Sequence, residues 1–176
     1  MINRPERHEY ADSYATYISK VPDGDLLNFL DLQTGDFAGL VNDLSDDQAS
    51  QAPAPGKWSV KQVLGHLCDT ERMLSYRILR FARGDKTELE GFEQDDYVAA
   101  ANSNGRSTTA LLAELKSIRG ATLSLLESLT DEDSVRSGVA NGRSVSVRAL
   151  AYIIAGHAQH HLESLRRQVA LIATGA

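Results

Sequence analysis

Apolar residues recur in steps of three and four along four stretches of this chain, the period of a helix with one face turned inward. The first stretch covers residues 26–44, with Leu27, Leu30, Thr34, Phe37, Val41 and Leu44 as its stripe. The turn at Pro22-Asp23-Gly24-Asp25 precedes it, and Asp23 can cap it. The second stretch opens at Ser59, where Ser59 and Gln62 form a capping box and Trp58 and Val63 stand in staple positions. It runs to Arg83 and stops at Gly84. Its stripe is Val63, His66, Thr70, Met73, Arg77 and either Arg80 or Phe81. The third, capped by Ser107, carries Leu111, Leu115, Ile118, Thr122, Leu125 and Leu129 and reads as structural. The fourth, capped by Ser144 or Ser146, reaches Ile172 with Leu150, Ile154, His157, His161, Leu165, Gln168 and Ile172 in line.

Four long amphipathic segments with one inward stripe each predict an all-α protein, a four-helix bundle. The connections allow simple neighbours or a crossover, so their lengths do not decide the topology. Pro53 and Pro55 make residues 45–57 a loop, and residues 94–101 allow a short helix. Asn141-Gly142 signals a hairpin, so residues 135–147 can hold a small β-ribbon. Residues 1–22 show no strong cap, although Tyr10, Tyr14, Tyr17 and Ile18 could line a short helix. The expected organisation is a single domain over residues 1–176, with 1–22 as an N-terminal extension.

Composition narrows the function classes. The formal net charge of −6 argues against nucleic acid, because neutralising phosphates needs a basic surface. No apolar run is long enough to span a membrane. The polar N-terminus lacks the apolar segment of a secretory signal. The single cysteine, Cys68, excludes an intramolecular disulfide and fits a reducing compartment. A cytoplasmic location is therefore expected.

The chemistry sits where polar residues interrupt the stripes. His157 and His161, four residues apart, share a helix face about 40° wide, the spacing at which two imidazoles can converge on one ion. His66 is inward on the second segment. A buried imidazole needs a partner, and the alternatives are a hydrogen-bonded core or a cation shared by all three. Three neutral imidazoles suit zinc, nickel or iron(II). His160 could replace His161 or donate a hydrogen bond from the rim. Asp69 could act as a base, orient an imidazole or bind the metal; equally it could be a solvated partner of Arg72. Inward Arg77 could bind a carboxylate or pair with an acid, or escape to the edge. Glu71 points away from His66, toward the surface. Cys68, about 200° from His66 around the helix, reads as a small apolar core residue.

The segment Lys57-Trp58-Ser59-Val60-Lys61-Gln62-Val63-Leu64-Gly65-His66-Leu67-Cys68-Asp69-Thr70-Glu71-Arg72 resembles the DinB-like superfamily around its first metal histidine. Ala155-Gly156-His157-Ala158-Gln159-His160-His161 resembles its second motif, and the stretch 76–85 with Gly91-Phe92 is similar too. The resemblance implies an up-down-down-up bundle, often a homodimer. It implies a His66, His157, His161 triad for a divalent metal such as nickel or zinc. The activities it implies are transfer or isomerisation with a low-molecular-weight thiol, or metal-dependent hydrolysis as in the YfiT-like proteins. A small-molecule substrate is expected in either case.

Overall fold

A computed structural model of the protein describes residues 2–174. In chain order its helices are α1 (Ala15–Ile18), α2 (Leu26–Val41), α3 (Asp46–Ser50), α4 (Val60–Ala82), α5 (Gln94–Ala100), α6 (Thr108–Glu127), α7 (Asp131–Val135) and α8 (Val147–Thr174). The four long helices are the four predicted stripes. Their starts are set by side chains that accept orphan backbone N–H groups. Ser59 and Gln62 close the capping box of α4, Ser107 caps α6, and Ser146 accepts from Ala149 N. Asp25, not Asp23, caps α2; Asp23 instead meets Arg4.

Two apolar clusters mark the two ends of the bundle and fix the direction of each helix. Leu30 of α2, Ile78 of α4, Leu126 of α6 and Leu150 of α8 belong to one. Phe37, Leu64, Leu111 and Leu162 belong to the other. Thus α2 and α8 run one way and α4 and α6 the other, an up-down-down-up order. Each of α2 and α4 packs against both α6 and α8. The hairpin forms as the Asn-Gly signal requires: β1 (Ser137–Ala140) pairs antiparallel with β2 (Arg143–Ser146), and both turn residues have positive φ.

Other expectations change as well. The segment expected as a loop contains α3, nucleated by a Ser45–Gln48 capping box ahead of the prolines. The polar inward residue of α2 is Gln33, one position before Thr34, which bonds its own helix. Glu71 is a core residue, 4% exposed, and not a surface one. It receives two hydrogen bonds, 2.8 and 2.7 Å, from Arg119 of α6, itself 2% exposed. Arg119 also donates to Leu30 O and Gln33 Oε1, and Gln33 Nε2 donates to Ala155 O at 2.9 Å. This polar belt joins all four long helices between the two apolar clusters. The third stripe therefore runs through Arg119, with Ile118 only half-buried beside it.

The N-terminal residues are woven into the bundle. Ile2, Ile18 and Val21 lie in the first apolar cluster, and α1 packs along α8.

Candidate metal centre

His66 lies on the second turn of α4, and His157 and His161 lie midway along antiparallel α8. The cap that starts α4 and the belt that holds α8 through Ala155 O bring these levels together. His66 Nε2 is 3.0 Å from His157 Nε2, and His161 Nε2 is 3.2 Å from the same atom. All three ligand atoms lie within 4.8 Å of one another. On the outer side of His66, Nδ1 is 3.4 Å from Thr70 Oγ1, one turn along α4, which leaves Nε2 turned inward.

Convergence of three Nε2 atoms is hard to satisfy by hydrogen bonding alone. A neutral imidazole nitrogen either carries one proton or offers one in-plane lone pair, so His157 Nε2 has one good hydrogen bond to give or take and two neighbours. A shared cation removes the conflict. Two nitrogens at about 2.0–2.1 Å from one ion would be ~2.9 Å apart at a right angle and ~3.3 Å apart at the tetrahedral angle. The two shorter separations fall within that interval.

Burial keeps the rings neutral, the form that ligates metal. Desolvation lowers His66 to about 4, with the Asp95 carboxylate opposing the shift. It lowers His161 to about 3, and the neighbouring His66 and His160 push the same way. His157, the most enclosed, is held well below the ordinary imidazole value by burial and by the other histidines.

Two cavities reach the cluster. A small one of about 140 Å³ is lined by His66, His157, Tyr17, Arg77, Phe92 and Ile153, among others. A wider groove of about 520 Å³ reaches His161 past Trp58, Lys57, Asp95 and Arg167. Tyr17 stands edge-on to His157 and His160, with ring centroids 5.4 and 5.6 Å apart. The Trp58 ring is 4.7 Å from His66 and lies nearly parallel to His161. The backbone of Tyr17 can come so close because residue 156 is glycine: a Cβ there would overlap the Tyr17 carbonyl.

Of the residues singled out in the sequence, His66, His157 and His161 are brought to one place, and Arg77 lines the small cavity that reaches His66 and His157. His160 stays outside the cluster, its ring 5.3 Å from that of His161. Asp69 is not brought to it. It lines a separate cavity with Cys68, Asp96, Tyr97, Arg106 and Glu114, 3.6 Å from Arg72. The 60° between positions 66 and 69 turns Asp69 toward α5 and α6. Burial raises its carboxyl, with Arg72 opposing. Cys68 is the core residue expected, its thiol pushed up to about 12 by burial. Sequence reasoning missed Tyr17, Trp58 and Asp95 as neighbours of the cluster. The one available signal was Gly156 beside His157, a bare helix position on which other backbone can rest.

A family model of the DinB superfamily matches residues 30–165. The chain belongs to the DinB superfamily. This DinB-superfamily chain is 25% identical over 142 residues to a protein of Oceanobacillus iheyensis named "Putative metal-dependent hydrolase", covering 80% of this chain and 81% of that one. A protein of Geobacillus thermodenitrificans with the same name is 26% identical over 133 residues, covering 73% and 75%. YfiT from Bacillus subtilis, described as a probable metal-dependent hydrolase with an unusual four-helix bundle topology, superposes with a TM-score of 0.74 at 18% identity, covering 96% of this chain and 94% of that one. A mycothiol-dependent maleylpyruvate isomerase shares the fold at a TM-score of 0.57 and 14% identity, covering 89% and 61%. Among the described residues, no helix is long and apolar enough to cross a membrane.

Proposed function

We propose that this chain is a metal-dependent hydrolase of a small molecule, with His66, His157 and His161 holding one divalent cation, zinc or nickel. The observation that carries this reading is the convergence of three neutral Nε2 atoms at 3.0 and 3.2 Å. The names of the relatives support the same reaction class. Such a cation supplies Lewis acidity and a nucleophile at neutral pH. The protein's own groups do the rest. Trp58 and Tyr17 shield the cluster from bulk water on two sides, Thr70 holds the His66 ring, and the groove at His161 admits substrate. Asp95, on the wall of that groove, is better placed than Asp69 to take a proton from a nucleophile at the cluster.

Use of a low-molecular-weight thiol as the nucleophile is the second reading. The groove of about 520 Å³ favours it, since Lys57 and Arg167 on its walls suit the anionic groups of such a cofactor. A homodimer through the outer α4–α6 face is part of the proposal. Tyr76 and Leu79 are exposed there beside Ile118 and Leu125.

Zinc-loaded protein assayed on a panel of esters, amides and lactones should hydrolyse at least one class, and His157→Ala should abolish that activity. Titration of the cobalt-loaded protein with thiols separates the two readings. A thiolate charge-transfer band, with no hydrolysis of any panel member, would replace water by thiol.

A further inference from the structure

The small cavity beside the cluster contains a charge with no visible counter-charge. Arg77 is 4% exposed and lines this cavity together with His66 and His157. Its Nη2 donates to Glu90 O at 2.7 Å. Among the described residues, no carboxylate reaches it at ion-pair distance, and no ring stacks on it. The other walls are Tyr14, Tyr17, Leu74, Phe92 and Ile153, together with Thr70 and Gln94. A guanidinium placed in such surroundings carries a desolvation cost that one backbone carbonyl does not offset. Arginine's fork is also the group best shaped to receive a carboxylate through two parallel bonds.

We propose that Arg77 is the anchor for the carboxylate of a small, slender organic anion whose other end lies against the histidine cluster. This rests on the reading of that cluster as the reaction centre. The cavity sets the shape of the ligand. His66 and Arg77 are eleven positions apart on α4, about 16.5 Å along the axis. The long arginine side chain leans back toward the helix N-terminus, which leaves roughly 10 Å between the two functional ends. A volume of about 140 Å³ corresponds to about five waters. An unbranched chain of about six carbons fits both figures; a bulky or doubly ringed anion does not. The carboxylate is then a remote handle, several bonds from the atom that reacts, and its binding energy serves to position the reactive end.

Calorimetric titration with hexanoate and hexanamide tests the proposal. It is run first on metal-free protein, so that no cation can create a preference for the anion, and then on zinc-loaded protein. Hexanoate should bind the metal-free wild type roughly tenfold or more tightly than hexanamide, the scale of a charge-assisted hydrogen bond. Arg77→Met should erase that preference while keeping the wild-type zinc content, and Arg77→Lys should retain part of it. Equal binding of acid and amide by the wild type, or no binding of either, overturns the proposal without recourse to any variant. A preference that survives in Arg77→Met overturns it as well. If the wild type takes up no zinc yet still prefers hexanoate, the reaction-centre reading fails and the anion site stands.

Discussion

At the scale of single residues, the fold separates two groups that lie three positions apart in sequence. His66 faces α8 and the other imidazoles, whereas Asp69 faces a different cavity. Asp69→Asn should therefore leave metal content unchanged. His66→Ala should weaken metal binding by more than about a hundredfold, since changes to groups behind the ligands already cost about ten- to a hundredfold. Elemental analysis of dialysed protein checks both. Loss of metal in Asp69→Asn would place that carboxylate at the cluster after all. The histidines were legible in sequence because polar residues interrupt an otherwise apolar stripe at ligand spacing. Glu71 and Arg119 were not. Each looks like an ordinary surface charge on its own helix, and only the packing of α4 against α6 lets two charges cancel in the core. The aliphatic Ile118 also offered a more attractive stripe than the arginine beside it.

At the scale of elements, the belt and the N-terminal segment each make a distinct demand. Arg119→Met leaves Glu71 buried without its partner, and breaking a buried pair in this way costs about 3–5 kcal/mol. Replacing both partners by apolar residues should restore much of the loss. Chemical denaturation of the two variants distinguishes a paired charge from simple loss of packing. The N-terminal segment is tied to α8 through Glu9, which accepts from Arg148 and from Ser146 Oγ. Burial raises the Glu9 carboxyl, but the bonds from Arg148 and Ser146 outweigh it and lower the group from 4.5 to about 2. Its folded value is therefore depressed. The stabilisation it gives is present above the unfolded value and is lost as pH falls from 4.5 toward about 2. Protection of the amides of residues 2–21, measured against the intrinsic exchange rate at each pH, should fall over that window in the wild type, and Glu9→Gln should already show weakened protection at neutral pH. A flat profile in the wild type would mean that this ion pair does not hold the segment. None of this could be read from the sequence of the segment, because the partners of Glu9 are 137 and 139 positions away.

At the scale of the whole molecule, four periodic stripes were enough to identify four helices, while the inward positions shifted by one on α2, to Gln33, and on α6, to Arg119. Their order in space was not available from periodicity. It depends on α2 and α4 lying diagonally across the bundle, each touching α6 and α8; the up-down-down-up order came from the family resemblance and is the one observed. That arrangement is what sets the early turns of α4 against the middle of α8 and makes a three-histidine cluster possible from two antiparallel helices. The claim on which the functional reading rests is that one divalent ion occupies the cluster. Anomalous diffraction from crystals grown with zinc tests this most directly. A single strong peak is expected about 2.0–2.1 Å from Nε2 of His66, His157 and His161. No peak there in zinc-saturated crystals, with the three rings turned apart or bonded only to protein groups, would contradict it.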